Sequence, residues 1–140
     1  MKILLAADGS AYTRHAVDYL IKHLGMFGGP PELGIVHVRP MIPGRVATAL
    51  NKTVIQKYYA DETAKALAPA RRMLDKAGLK YKVSQLIGDP GAEVAALAKK
   101  GKFDLVVMGS HGHGALGSLV LGSAASKVLA QCKVPVLIVR

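Results

Sequence analysis

Five short runs rich in Val, Ile and Leu are spaced along the chain, and each has the length of one β-strand. Most of these runs are apolar at consecutive positions, as in parallel strands buried on both faces, whereas the third alternates between apolar and polar residues. The pattern therefore predicts a parallel sheet in which the third strand lies at an edge. The predicted strands are residues 3–7, 33–38, 81–87, 105–108 and 136–139.

Apolar residues recur at three- and four-residue intervals between these strands, which predicts amphipathic helices. Ser10 can cap the first helix, and Asp89 followed by Pro90 can begin the third. The second helix spans about residues 53–77 and ends at Gly78, and the fourth runs from about Gly122 to residue 132. The expected apolar faces contain Ala16, Val17, Leu20, Ile21 and Leu24 in the first helix, Ala64, Leu67, Ala70 and Leu74 in the second, and Val94, Leu97 and Ala98 in the third.

The elements alternate as βαβαβαβαβ, which predicts a single-domain, doubly wound α/β fold. Right-handed crossovers then give an open parallel five-stranded sheet with helices on both faces, and we predict the strand order 3-2-1-4-5. In such sheets, ligands bind beyond the carboxyl ends of the strands, where the strand order reverses. The segment 39–50 follows the second strand and is predicted to be a long loop at this ligand-binding end.

Composition narrows the class of protein further. The chain is 51% hydrophobic and 20% charged, as in folded proteins, and no apolar run approaches the roughly 18 residues of a membrane span. The apolar run at the start stops at Asp8 and is too short for a signal peptide. The single cysteine, Cys132, cannot form an internal disulfide, so we expect a reducing compartment, the cytoplasm.

The chain carries a formal net charge of +10, which can attract polyanions. Its lysines and arginines are dispersed in runs no longer than two, and there are two Phe and no Trp to stack on bases. This distribution does not favour nucleic-acid binding. It is typical of a solvated basic surface that favours small anionic ligands.

The most informative segment follows the fourth strand, where residues 109–123 contain five glycines. Glycines allow positive φ and let backbone amides approach an anion, and the helix that follows offers free N–H groups at its N-terminus. Ser110 and Ser123 add hydroxyl donors at the two ends, so a phosphate is the expected guest. Alternatively, the glycines form a long turn that packs helix against strand, and Ser123 only caps the helix.

Two other binding sites fit this segment poorly. Residues 112–117 match the dinucleotide pattern G-x-G-x-x-G, but they follow the fourth strand, and residues 118–140 contain no acidic residue. His111 and His113 have no thiol or acidic partner in the pattern, so a zinc site is not predicted. These histidines either contact phosphates or face water.

The spacing Gly109-x2-Gly112-x9-Gly122-Ser123 resembles the G-2x-G-9x-G-[S/T] loop of the ATP-binding branch of the universal stress protein family. The likeness continues in Asp8-Gly9-Ser10, His37-Val38, Gly88-Asp89-Pro90 and residues 134–139. The resemblance implies an adenine-nucleotide site and regulatory work in stress physiology. It also implies a homodimer built partly on the last strand, Val136–Val139, and a protein partner that the sequence does not identify.

The resemblance also implies roles for individual residues. Asp8 would face the ribose and phosphates, with Mg²⁺ as a bridge, and the backbone of Val38 would bind adenine. Ala6 and Met108 would line the adenine and ribose pocket. The remaining implied residues, which would hold ribose and phosphate oxygens, are Gly109, Gly112, Gly122, Ser123 and, through its amide, Ala124. Proline is common in the family at the position of Ala6, and threonine or valine at that of Ala7, and neither difference changes the backbone course.

Two functions from different classes remain open. The first is an ATP-binding regulator, with no catalytic residue assigned and at most slow hydrolysis, since no general base or committed arginine is evident. Arg39, Arg45 or, less readily, Lys52 could neutralise phosphate charge, and Asp8 could instead be a turn residue. The second is a nucleotide-independent interaction protein that binds an acidic partner or nucleic acid through its basic surface.

Overall fold

The computed structural model describes residues 1–114 and 120–140 of the chain. Five strands form one parallel sheet in the order β3-β2-β1-β4-β5, which confirms the predicted fold class and strand order. The third strand lies at an edge, as its alternating pattern predicts. The strands are β1 (Lys2–Ala6), β2 (Glu32–Arg39), β3 (Tyr81–Ile87), β4 (Leu105–Gly109) and β5 (Val136–Val139).

In residues 1–114 and 120–140, five α-helices connect the strands, and the predicted caps are present. The Ser10 hydroxyl accepts the Thr13 amide at 3.3 Å, and Asp89 accepts the Ala92 amide at 3.0 Å. Gly78, which follows the third helix, has a φ of +70°, a value that glycine adopts without strain. The helices are α1 (Ala11–Lys22), α2 (Gly44–Ala49), α3 (Lys52–Lys76), α4 (Pro90–Lys100) and α5 (Ser123–Gln131).

The core consists of two apolar layers, one on each face of the sheet. Helices α1 and α3 pack on one face, where Val17, Leu67 and Leu74 are fully buried. Helices α4 and α5 pack on the other face through Val94 and Val128. Because both faces are covered, the central strands carry continuous apolar runs.

Three details of the prediction are wrong. The segment 39–50 is not a continuous loop, because it contains the six-residue helix α2. Ala64 is exposed, and the neighbouring Thr63 takes the buried position on α3, one residue away from the predicted stripe. Helix α1 ends at Lys22, and Leu24 lies in a short 3₁₀ helix instead.

Strand β1 lies at the point where the strand order reverses. It pairs with β2 on one side and with β4 on the other, and the chain leaves all three strands at the same end of the sheet. The diverging connections leave a crevice at this end. Residues 6–8, 36–38 and 108–112 are brought together there.

Candidate functional site

A cleft with a volume of about 130 Å³ opens between the carboxyl ends of β1, β2 and β4. Its walls are mainly apolar and come from the strand ends and from the start of α4. Of the predicted site residues, Ala6, Asp8, Val38, Met108 and Gly109 lie in this wall. The other lining residues are Ala7, Thr13, Val36, His37, Pro90, Val94 and His111.

Asp8 is held in a fixed orientation at the polar end of the cleft. Its Oδ1 accepts the Ser10 amide at 2.9 Å and the Thr13 hydroxyl at 2.7 Å. Its backbone carbonyl accepts a hydrogen bond from Nε2 of His113 at 2.7 Å, which ties the glycine-rich segment to the end of β1. Asp8 therefore supports the turn into α1 and also presents a charged group to the cleft.

Three of the described loop glycines, Gly109, Gly112 and Gly122, allow close approach of the backbone to other groups. None of these three, nor Gly114, has a positive φ, so the positive φ expected of the loop is wrong for the described glycines. A Cβ on Gly109 would lie 2.6 Å from Cβ of Tyr12, and one on Gly112 would lie 2.8 Å from Oδ2 of Asp8. Residues 115–119 of the predicted loop, including Gly117, lie outside the described residues.

The second carboxylate oxygen of Asp8 thus lies close to the backbone of Gly112. The absence of a side chain at Gly112 leaves room beside this oxygen. Gly122 is also tightly placed, since a Cβ there would lie 3.0 Å from Cα of His111, and its amide donates to the carbonyl of Ser110 at 2.9 Å. The packing role considered for the glycines therefore holds for Gly109 and Gly122.

Ser110 is directed into the protein rather than toward the cleft. It is only 2% exposed, and its hydroxyl lies 2.9 Å from Nδ1 of His111. Nε2 of His111 donates to the carbonyl of Val120, and in that tautomer Nδ1 accepts from the Ser110 hydroxyl. Ser110 and His111 together fix the backbone that connects β4 to α5.

Ser123 and Ala124 form the first turn of α5, which begins directly after the loop. Gly122 is the N-cap residue, and as a glycine it has no side chain to accept a hydrogen bond from the first turn. The first amides of a helix have no partner within the helix, and the helix dipole makes this end positive. This end of α5 can therefore accept an anion. The alternative assignment of Ser123 as the N-cap is wrong by one residue.

His37 is a site residue that the sequence pattern indicates only weakly. It is 4% exposed, and its Nδ1 donates to the carbonyl of Ala7 at 2.7 Å. Burial lowers the pKa of His37, and the positive charge of Arg39 lowers it further, against the opposing effect of the bond to Ala7. The ring is therefore neutral at pH 7. Its Nε2 is buried and has no hydrogen-bond partner among the described residues.

A second cavity of about 340 Å³ adjoins the cleft and is more polar. The two cavities share Asp8, His37 and Val38 in their walls. The second cavity extends to the α3 side of the sheet, where it is lined by charged side chains. The additional residues in its wall are Gly9, Arg39, Glu62, Lys65, Ala66 and His113.

The three cations considered for phosphate binding differ in position. Arg39 lies in the wall of the second cavity, where it pairs with Glu62 at 3.5 Å and donates to the Tyr58 hydroxyl at 3.0 Å. Arg45 and Lys52 are exposed at the starts of α2 and α3 and line neither cavity. Only Arg39 is therefore next to the candidate site.

The described part of the chain contains no group of three or more His, Cys, Asp or Glu side chains that could hold a metal ion. Within the same residues, no helix has both the length and the hydropathy that a membrane crossing requires. Cys132 is half-buried at the end of α5 and packs against the apolar layer on that face.

Sequence reasoning missed three contributors to the site: His37, Thr13 and the bond from His113 to Asp8. A signal for His37 was available, because it is the one polar residue between Leu33 and Val38 in an apolar strand. Thr13 and His113 contact Asp8 across turns whose geometry the sequence pattern does not specify.

Comparison with known proteins gives a consistent result. The family model described as the universal stress protein family matches residues 1–140. A universal stress protein of Methanocaldococcus jannaschii, MJ0531, is 31% identical over 140 residues, which cover 99% of this chain and 81% of that protein. A universal stress protein of Thermus aquaticus is 32% identical over 139 residues, which cover 99% and 97% of the two chains.

Solved structures with the same fold include M. jannaschii MJ0577, with a TM-score of 0.78 at 24% identity over 99% of this chain and 94% of that one. A universal stress protein in complex with cAMP has a TM-score of 0.70 at 23% identity, over 99% and 95% of the two chains. The Archaeoglobus fulgidus protein in complex with dAMP has a TM-score of 0.67 at 18% identity, over 100% and 98%. With its strand order, its glycine spacing and a family match along its whole length, this chain belongs to the universal stress protein family.

Proposed function

We propose that this chain is an ATP-binding regulatory protein of the stress response, in which occupancy of the cleft is the signal. The observation that carries the proposal is the position of Asp8. It is fixed at the polar end of a cleft with apolar walls, beside Gly112. An apolar wall next to a few oriented polar groups is the usual composition of a small-molecule site.

The residues of the cleft fit an adenine nucleotide. Ala6, Val38 and Met108 offer apolar surface for the flat base, and the backbone of Val38 at the end of β2 can bond to its edge. The amides at the start of α5 and the backbone of the segment from Gly109 to Gly112 would hold the phosphates. The solved relatives with cAMP and dAMP support the adenine-nucleotide class.

Mg²⁺ fits the same site through Asp8. Mg²⁺ on a nucleotide usually takes one or two carboxylates together with phosphate oxygens. Oδ1 of Asp8 is engaged by Ser10 and Thr13, whereas Oδ2 lies on the Gly112 side, toward the loop. When bound, Mg²⁺ would neutralise phosphate charge, and Asp8 would supply the protein ligand.

Binding rather than turnover is the proposed activity. The carboxylate of the cleft, Asp8, orients the start of α1 through Oδ1, and its Oδ2 is the proposed ligand of Mg²⁺, so Asp8 is not assigned as a general base. Arg39, the arginine in the wall of the adjoining cavity, is paired with Glu62. Slow hydrolysis is the most that we expect, because no general base and no unpaired guanidinium is assigned to the phosphates among the described residues.

The proposed assembly is a homodimer through β5, in the cytoplasm. Strand β5 is at the edge of the sheet, where it pairs only with β4 among the described residues. Its four residues, Val136–Val139, are apolar and only partly covered. An edge strand of this kind offers backbone groups and apolar side chains to a second copy.

The first experiment is mass spectrometry of the nucleotide released by denaturing freshly purified protein, followed by titration with Mg²⁺ and ATP. Wild-type protein is expected to release ATP or ADP. Asp8→Asn is expected to bind ATP about tenfold or more weakly, because a charged hydrogen-bonding group is lost. The matched control is Asp18→Asn, since Asp18 forms an exposed ion pair with Lys22 on α1, away from the cleft.

Gly122→Val provides a second test at the other end of the site. The valine side chain adds atoms at a position where even a Cβ would lie 3.0 Å from Cα of His111. The circular dichroism spectrum of the variant must therefore first show that the chain is folded. Absence of nucleotide in the wild-type protein, with no rise in Tm on adding ATP, would contradict the proposal. The nucleotide-independent interaction protein would then be favoured, particularly if DNA or RNA binds with a steep salt dependence.

A further inference from the structure

A separate concave surface lies outside the cleft, between the segment that follows β2 and the first turns of α3. We call it the arm groove. It has a volume of about 560 Å³, within the range of small-molecule sites. None of its lining residues belongs to the cleft, and it shares only Arg39 with the polar second cavity. The lining residues are Arg39, Pro40, Met41, Ile42, Pro43, Val46, Leu50, Val54 and Tyr58.

The walls of the arm groove are apolar and exposed to water. Of the 12 large apolar side chains that are exposed in the described chain, five lie in this groove, with exposed fractions between 40% and 71%. They are Met41, Val46, Leu50, Val54 and Tyr58. Single exposed apolar residues are ordinary, but a contiguous concave set marks a binding surface.

The charges around the groove are mainly positive, and the nearby carboxylate of Glu62 pairs with Arg39. Residues 33–60 contain no Asp or Glu, but they include Arg39, Arg45, Lys52 and Lys57. The groove therefore combines an apolar floor with a basic surround. This combination favours an occupant that is apolar along its length and negatively charged.

Arg39 marks the charged end of the groove. Glu62 accepts both Arg39 and Lys65 at 3.5 Å, so these three groups carry a net charge of +1. The Arg39 Nε is buried and has no partner among the described residues. A group with one negative charge, such as a carboxylate, would balance this cluster.

We infer that the arm groove binds a fatty acid, with its hydrocarbon chain along Met41, Val46, Leu50 and Val54 and its carboxylate at Arg39. The carboxylate matches the single net positive charge of Arg39, Glu62 and Lys65 at this end of the groove. A single chain is favoured over a bilayer surface because the apolar side chains line a concave pocket. This site is independent of nucleotide binding at the cleft.

The test is calorimetric titration of the full chain with decanoate, at concentrations at which decanoate is monomeric. Saturable binding with a stoichiometry of one is expected. Decyltrimethylammonium has the same chain length and the opposite charge, and butyrate has the same carboxylate on a short chain. Both are expected to bind about tenfold or more weakly, because each lacks one of the two interactions.

Variants locate the site. The double variant Val46→Asn, Val54→Asn is expected to weaken decanoate binding about tenfold or more by removing apolar contact. The matched control is Val83→Asn on β3, because Val83 is 45% exposed, as Val46 is, and lies outside the groove. Arg39→Gln is expected to weaken decanoate binding but not decanol binding.

Several outcomes would overturn the inference. These are the absence of saturable decanoate binding, equal binding of decyltrimethylammonium, or unchanged binding in the double variant. Binding only to phosphatidylglycerol vesicles would identify a membrane surface instead. If the double variant changes the molar mass measured by light scattering, the groove is an interface between copies of the chain. ATP is titrated into the same samples. A failure of decanoate binding at the groove can then be distinguished from a failure of nucleotide binding at the cleft.

Discussion

The cleft and the arm groove lie at the same end of the sheet, but they are built in different ways. The walls of the cleft are core residues, such as Val36 and Met108, which are 1% and 6% exposed. The walls of the groove are surface residues of α2, α3 and the segment before them. The shape of the cleft therefore follows from how the core packs, whereas the groove depends on few buried contacts.

Because of this difference, substitutions in the two regions are expected to change different properties of the protein: folding stability at the cleft and ligand binding at the groove. A substitution beneath the cleft changes the packing of the sheet, so it is expected to lower the free energy of unfolding. A substitution in the groove removes an exposed side chain and is expected to change binding with little effect on folding. The predictions below test this separation, beginning with the largest expected effect.

Two Leu→Ala substitutions compare the regions directly. Leu4→Ala is expected to lower the free energy of unfolding by about 3 kcal/mol, since Leu4 is 1% exposed in the layer beneath the cleft. Leu50→Ala, at a groove residue that is 40% exposed, is expected to cost less than about 1 kcal/mol. Urea unfolding measures both values. Equal losses would show that the groove is part of the core.

Gly109→Ala tests how tightly the cleft is packed. The added Cβ would lie 2.6 Å from Cβ of Tyr12 and 2.8 Å from its carbonyl carbon, so α1 and β4 must separate. We expect a loss of about 2 kcal/mol in urea unfolding. Gly25→Ala is the control, because no atom lies within 4 Å of the position of its Cβ. A loss at Gly25 as large as that at Gly109 would contradict this account.

The buried His37 in the wall of the cleft makes the stability of the fold depend on pH through its pKa. Burial lowers this pKa below its ordinary value of 6.5, so the unfolded chain takes up a proton before the folded one does. Stability should be complete above pH 6.5 and should fall as the pH decreases from there toward the folded-state pKa. The slope for one group is at most about 1.4 kcal/mol per pH unit.

His37→Asn tests this pH dependence, because its amide can still donate to Ala7 but does not titrate. The variant is expected to lose the part of the pH dependence that begins at pH 6.5, as measured by urea unfolding at a series of pH values. If the wild-type protein and the variant have parallel profiles, His37 is not the titrating group.

Asn51→Ala tests the smallest expected effect, at the edge of the groove. Asn51 caps α3, and its Oδ1 accepts the Val54 amide at 2.8 Å. Its loss is expected to cost about 1 kcal/mol in urea unfolding and to speed amide exchange in the first turn of α3. Asn51→Asp retains an acceptor and should preserve most of the stability. Equal losses in the two variants would exclude the cap as the cause.

The fold was predictable because burial on both faces leaves a strong pattern in the strands. Strands such as Tyr81–Ile87 and the caps at Ser10 and Asp89 follow from local rules that tertiary packing does not override. Helix α2 was not predictable, because its six residues include Gly44 and Thr48 and bury no side chain. Thr63 rather than Ala64 is buried because both residues fit the helical spacing of Leu67, Ala70 and Leu74. The packing of α3 on β2 then selects one of the two.

The candidate site was predictable in position but not in detail. Asp8 follows from its place at a strand end, where ligands bind in doubly wound sheets, whereas Met108 was implied only by the resemblance to the family. The packing of Gly109 on Tyr12 and of Gly122 on His111 depends on the distance between elements, which glycine spacing does not encode. The arm groove was missed because residues 39–50 were predicted to be a loop, so the four-residue spacing of Val46, Leu50, Val54 and Tyr58 was not assigned to helix faces.

The position of β1 at the centre of the sheet also sets an order of events during synthesis. Strand β1 is made before β2 and β4, and its edge toward β4 waits for that strand, since Ile3 pairs with Leu105. Until then the nascent chain exposes an unpaired central edge, to which molecular chaperones can bind. Ligand binding at the cleft can therefore stabilise only a chain in which β4 has already been made.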